Sequence, residues 1–212
     1  FMAVTFAFFL LIPILKRCSF SQLASVYTAA IALIAYQVIP RPGFDLYNYW
    51  YGTMGAYENL PLSELLLELP GESEPLVRIY FFLISKLPYK GFLALINVLI
   101  VYALIFWLLK KISDRFPMSN SSFAVLVIWT VCVTPYYTVL GGIRYQLAFT
   151  IFAWALYNEL VERRWGPQCW CVYVATVLIH NSAIVLLAIR VALILYSRYT
   201  GILVTASVFL AC

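Results

Sequence analysis

Of 212 residues, 64% are hydrophobic and 11% charged, where an ordinary soluble domain carries about a quarter charged; a soluble core cannot hide that much apolar surface, but lipid can. The net charge of +5 does not make nucleic acid a partner, because the basic residues come as short pairs between apolar runs rather than as one stripe. Those pairs read as topology signals, and the five cysteines (Cys18, Cys132, Cys169, Cys171, Cys212) lack zinc-type spacing and a histidine cluster, so no metal site is expected from them.

A spanning helix needs about 20 apolar residues. The first windows of that kind are 1–15, followed by Lys16-Arg17, and 22–40. After them comes Arg41-Pro42-Gly43-Phe44-Asp45-Leu46-Tyr47-Asn48-Tyr49-Trp50-Tyr51, a charged pair followed by dense aromatics. Aromatic faces beside carboxylates bind sugar rings, whose C–H faces pack on π systems while their hydroxyls need acceptors. The competing reading is an aromatic belt at the membrane surface. Residues 60–69 form an amphipathic stretch expected to lie along that surface. Glu74-Pro75 opens the next segment, where a carboxylate either meets the positive end of a helix dipole or contacts substrate.

Segment 76–89 is apolar but short and carries Arg78, Lys86 and Pro88, which fits a re-entrant or surface-lying helix as well as a span. The positive-inside rule decides between them. Lys16-Arg17, Lys110-Lys111 with Arg115, and Arg163-Arg164 all fall on the cytoplasmic side only if 76–89 does not cross. Residues 41–90 then form one extracytoplasmic region of short amphipathic or re-entrant helices, and its stretch 41–75 holds six acidic residues against the single Arg41. Further windows follow at 91–109, 122–139, 143–160 and 168–196, with the start of another after Thr200. The last window exceeds one span and contains His180-Asn181-Ser182, so it is either one tilted helix or two pieces broken at the triplet. The expected fold is an all-α, polytopic transmembrane bundle forming a single membrane domain over 1–212. Phe1 opens inside one apolar run and Cys212 closes inside another, so a longer protein is expected.

Ionisable residues within apolar windows are costly and are functional candidates by default. His180 and Arg144 stand out. Arg144 follows Gly141-Gly142 at the outer start of the 143–160 helix, about one turn deep, and His180 lies roughly 20 Å in from the cytoplasmic side, at a similar depth. Each has a plainer reading, a histidine hydrogen-bonded between helices and an arginine reaching to lipid headgroups. Together on neighbouring helices they describe a site for a phosphate-linked substrate and a hydroxyl nucleophile, since guanidinium suits phosphate oxygens and imidazole takes a proton near neutral pH.

Four landmarks in this order resemble the EpsG-like and Wzy-type bacterial polysaccharide polymerases: Gly43-Phe44-Asp45 with Tyr49, Glu74-Pro75, Arg144-Tyr145-Gln146-Leu147-Ala148, and His180-Asn181-Ser182-Ala183. The resemblance spans residues 41–190. It departs at Tyr145, which separates the arginine from the glutamine that often follows it directly, and family members tend to be longer. The resemblance implies a GT-C-like glycosyltransferase of the bacterial inner membrane, acting on undecaprenyl-diphosphate-linked oligosaccharide at the outer face. A chain-length regulator or flippase protein is then a candidate partner, alongside membrane lipid. Carried onto this chain, it makes His180, Arg144 and Asp45 the catalytic candidates, and Arg41, Tyr47, Tyr49, Glu74, Gln146 and Asn181 the substrate-binding ones. No cofactor is implied, and no metal is needed where arginines neutralise the leaving group, although the two carboxylates leave a divalent ion open. Other readings are a related ligase or polyprenyl-linked transferase, a transporter or flippase, and a non-catalytic assembly subunit.

Overall fold

The computed structural model describes residues 1–12, 17–163 and 166–211, and the side chains of these except 17–19, 198 and 200–211. Lys16, Arg164 and Cys212, and the side chains of Arg17 and Cys18, therefore lie outside the described residues. The described chain is all-helical: α1 (Met2–Leu11), α2 (Arg17–Tyr36), α3 (Asp45–Tyr47), α4 (Met54–Tyr57), α5 (Leu62–Glu68), α6 (Pro75–Ser85), α7 (Gly91–Arg115), α8 (Asn120–Val133), α9 (Tyr136–Gly141), α10 (Ile143–Leu160), α11 (Pro167–Ile179) and α12 (Ala183–Ala211). A π-helical turn, Asn48–Thr53, joins α3 to α4.

Among the described residues, α7 alone is long and apolar enough to cross a bilayer, with a mean hydropathy of 2.7 over its best window. It is the centre of the fold, packing on α2, α9 and α10. The α2 contact is tightest at Gly91, where an added Cβ would stand 2.2 Å from the Tyr36 carbonyl oxygen. Lower down, Tyr27, Tyr102 and Phe106 interlock with Phe8 and Phe20, binding α1 and α2 to α7 through edge and stacked ring contacts.

Two of the sequence windows are interrupted, each for a local reason. The 122–139 window is two helices, because Pro135 has no N–H to donate and its ring disfavours helical geometry at the residue before it. Thr134 accordingly sits at φ −113°, ψ 61°, and α9 starts afresh at Tyr136. Carbonyls at two helix ends are taken up by α7: Tyr102 Oη donates to Thr134 O at the break at 2.9 Å, and the fully buried Asn97 donates Nδ2–H to Val139 O in the last turn of α9 at 2.8 Å.

The 168–196 window breaks at His180-Asn181-Ser182, between α11 and α12. Tyr173 and Arg190 both hydrogen-bond the Glu159 carboxylate. In one straight helix they would stand about 25 Å apart, so the chain reverses at the triplet and α12 folds back beside α11. Leu186 and Leu187 accordingly pack on the buried group Phe152, Ala155, Cys169 and Tyr173.

The region between α2 and α7 is held by lysines. Lys86 Nζ donates to the carbonyls of Tyr57, Glu58 and Leu60 at 2.7, 3.0 and 2.8 Å, which closes the end of α4. Lys90 Nζ donates to Trp50 O in the π turn at 3.0 Å and pairs with Glu58. Helix α6 buries Val77, Phe81, Phe82 and Ile84, and at about 16 Å it is half the depth of a bilayer core. On α5, Leu65 is buried while Leu62, Leu66 and Leu67 are exposed, the pattern of a helix lying on a surface.

Candidate functional site

Glu74 occupies the N-cap position of α6, but its side chain makes no capping bond to that helix. It turns instead toward α10 and the 180–182 turn. Oε2 accepts from Arg144 Nη1 at 2.6 Å, while Oε1 accepts from the backbone N–H of Asn181 at 3.0 Å and faces His180 Nδ1 at 2.9 Å. The guanidinium and the imidazole, borne on separate helices, therefore converge on one carboxylate. Glu74 is 8% exposed. Burial pushes its carboxyl up, but the Asn181 N–H, His180 and Arg144 together outweigh burial and hold it below the ordinary value of 4.5. An ionised carboxylate only accepts, so the hydrogen on His180 belongs on Nδ1, and in the neutral ring Nε2 keeps its lone pair.

The backbone delivers these groups in different ways. His180 leaves the helical region at φ −153°, ψ 119°, its own N–H still bonded to Thr176 O, so it caps α11 and presents its side chain sideways. Arg144 lies in the first turn of α10, which begins where Gly142 ends α9 at φ −104°, ψ 47°. Gly142 is tightly covered: an added Cβ would stand 1.8 Å from the Tyr145 ring. The π turn carries Tyr49, whose hydroxyl accepts from Arg144 Nε at 3.2 Å, with the guanidinium 5.9 Å from its ring centre. Burial raises the Tyr49 hydroxyl above its usual range despite the nearby arginine.

Arg144, His180 and Tyr49 line a cavity of about 730 Å³, together with Arg41 and Asp45 from the segment after α2. Gly43, at φ +90°, lets the chain turn between those two. Tyr136, Tyr137 and Tyr145 add aromatic wall. Two cations, a carboxylate, an imidazole and several phenol rings thus face one space. Such a set can pair with an anion and hydrogen-bond hydroxyl groups.

The other sequence candidates are placed differently. Tyr47 packs at a tilt against Tyr51, ring centres 4.6 Å apart, and is not on the cavity wall. Gln146 is buried and donates to the Tyr145 hydroxyl at 3.0 Å, which makes it a support for a wall residue. Asn181 contributes its backbone N–H to Glu74, and the residue itself is exposed. Glu74, with both oxygens engaged, orients the guanidinium and the imidazole and does not open onto the cavity. Sequence reasoning missed Tyr145, Asn97 and Tyr102. Asn97 was discoverable, being a lone amide in the long apolar run of α7.

Among the described residues no three His, Cys, Asp or Glu side chains converge as a metal site would require. No family model, curated protein or solved structure matches the chain.

Proposed function

We propose that the chain is a membrane glycosyltransferase of the polysaccharide-polymerase type. In this reading it is a polytopic, GT-C-like bundle of the bacterial inner membrane, with its cavity toward the outer face. It transfers a growing glycan from undecaprenyl diphosphate to a hydroxyl of the next lipid-linked repeat unit. The observation that carries the reading is the convergence of Arg144 and His180 on Glu74 at the edge of a cavity that Arg41 and Asp45 also line. The apolar composition, the bilayer-length α7 and the exposed apolar side chains of α8 and α12, such as Trp129, Val133 and Leu193, support a membrane setting.

The chemistry follows from the groups. The acceptor hydroxyl oxygen attacks the anomeric carbon while the bond from that carbon to the diphosphate oxygen breaks, and the leaving diphosphate keeps the electron pair. His180 Nε2 takes the hydroxyl proton. Arg144, with Arg41 as the second cation on the cavity wall, neutralises the charge that grows on the departing diphosphate. Glu74 holds the ring and the guanidinium in register, and Asp45 accepts from acceptor-sugar hydroxyls.

The test is glycan transfer by the purified protein with lipid-linked repeat units. The parent gives a ladder of products, and His180→Ala lowers the rate by roughly 10²–10⁴-fold, the usual worth of a positioned general base. A His180→Ala protein that makes the full ladder removes the imidazole from the chemistry. A single band from the parent makes the enzyme a ligase or single-addition transferase.

A further inference from the structure

A second polar cluster lies at the opposite end of α10 from Arg144. Glu159 is 2% exposed and accepts three hydrogen bonds from two helices: Arg190 Nε donates to Oε2 at 2.9 Å, Arg190 Nη2 donates to Oε1 at 2.7 Å, and the fully buried Tyr173 donates its hydroxyl to Oε2. The Arg190 side chain is 11% exposed. A bidentate arginine fixes a carboxylate in orientation as well as position, and burial makes removal of either partner costly.

The spacing of the two donors is the informative feature. Tyr173 stands seven residues before His180 on α11, and Arg190 stands seven residues after Ala183 on α12. Seven helical residues are about 10 Å, so the carboxylate grips both arms of the hairpin at equal depth below its tip. Sliding the tip inward or outward along α10 breaks contacts on both arms at once, and tilting it breaks those on one. The tip is the 180–182 turn that carries the imidazole and the Asn181 N–H, while α10 carries Arg144.

We propose that Glu159 is a positioning residue: by pinning both arms of the α11–α12 hairpin to the inner end of α10, it sets where His180 stands relative to Arg144 and Glu74. Its link to catalysis rests on the reading of His180 as the base, whereas its link to the imidazole does not. The experiment separates the two. His180 is the only histidine in the chain, so ¹⁵N-histidine labelling of the full protein in nanodiscs gives the resonances of one ring. Glu159→Gln, checked for cooperative unfolding, is expected to shift the Nδ1 resonance away from its carboxylate-bonded position although Glu74, Arg144 and His180 are unchanged. In the transfer assay with lipid-linked repeat units, kcat is expected to fall on the order of 10²-fold, the cost of misplacing a catalytic group by about 1 Å, with KM little changed. A folded Glu159→Gln protein whose ring resonances match the parent overturns the proposal. Should Glu159→Gln not fold, Tyr173→Phe keeps the ion pair and removes only the α11 bond; a smaller shift in the same direction supports the proposal, and none overturns it. A shifted ring in a protein whose parent transfers no glycan supports the positioning and overturns the transferase reading alone.

Discussion

Each oxygen of Glu74 has a partner that only donates, the Arg144 guanidinium on Oε2 and the Asn181 N–H on Oε1, so replacing the carboxylate by an amide sets N–H against N–H on one side of the site. Glu74→Gln is expected to lose about 1–3 kcal/mol of stability, the cost of unpaired buried donors, toward the low end because the Arg144 side chain is 41% exposed. Denaturant unfolding measures it, and a Gln variant as stable as the parent would show the network to be inert. The same carboxyl gives a pH dependence whose sign is fixed. Its folded value is lowered below 4.5, so its contribution is complete above the unfolded value and is lost as pH falls through the folded one. The stability gap between parent and Glu74→Gln should therefore narrow on acidification below 4.5 and not above it. At this scale the sequence was partly legible. Arg144 and His180 were visible because a charge or imidazole in an apolar window is costly, and Glu74 because it precedes a proline. Its partnership with His180, 106 residues away, left no trace in spacing, and Tyr47 and Asn181 gave no sign that one would pack against a neighbouring ring and the other serve through its backbone.

Helix ends do much of the placement here. Arg144 is where it is because Pro135 stops α8, α9 occupies one short stretch, and the non-helical backbone of Gly142 separates α9 from α10. The window 122–139 read as continuous because hydropathy registers composition and not the missing N–H of one proline. The break at 180–182 was among the sequence alternatives, but the reversal was not, since it is fixed by Glu159 gripping both arms. Arg190 satisfies the same rule as Arg144, an ionisable side chain in an apolar window, but its partner Glu159 lies on another helix 31 residues away, which spacing does not reveal. Gly91 gives a test at this scale. Alanine is the better helix former by roughly 0.5–1 kcal/mol, but its Cβ would meet the Tyr36 carbonyl at 2.2 Å, and backbone cannot swing aside. Gly91→Ala should cost about 1–3 kcal/mol, as overpacking does. Gly71→Ala, where an added Cβ meets nothing within 4 Å, should be near neutral. Equal stability of the two would deny the close approach of α2 and α7.

For the molecule as a whole, composition dictated an apolar, all-helical chain, and the described residues are all-helical. Lengths were less legible: several helices are shorter than the windows that announced them, because breaks and loops take residues from each end. The topology proposed from the basic pairs has its own test. In a background with the native cysteines replaced by serine, Asp45→Cys should react with a membrane-impermeant maleimide from the outside, and Ser119→Cys only after permeabilisation. Labelling of both from one side would sink the arrangement. Helix α7 connects these levels. Gly91 at its head seats the end of α2, and Asn97 and Tyr102 along its length suspend the bent segment from which α10 departs. Among the described residues the one helix of bilayer length is thus also the ruler against which the guanidinium of Arg144 is set; under the proposed function, the coordinate that matters to the cavity becomes height along the membrane normal, with lipid as part of the reference for aligning the site.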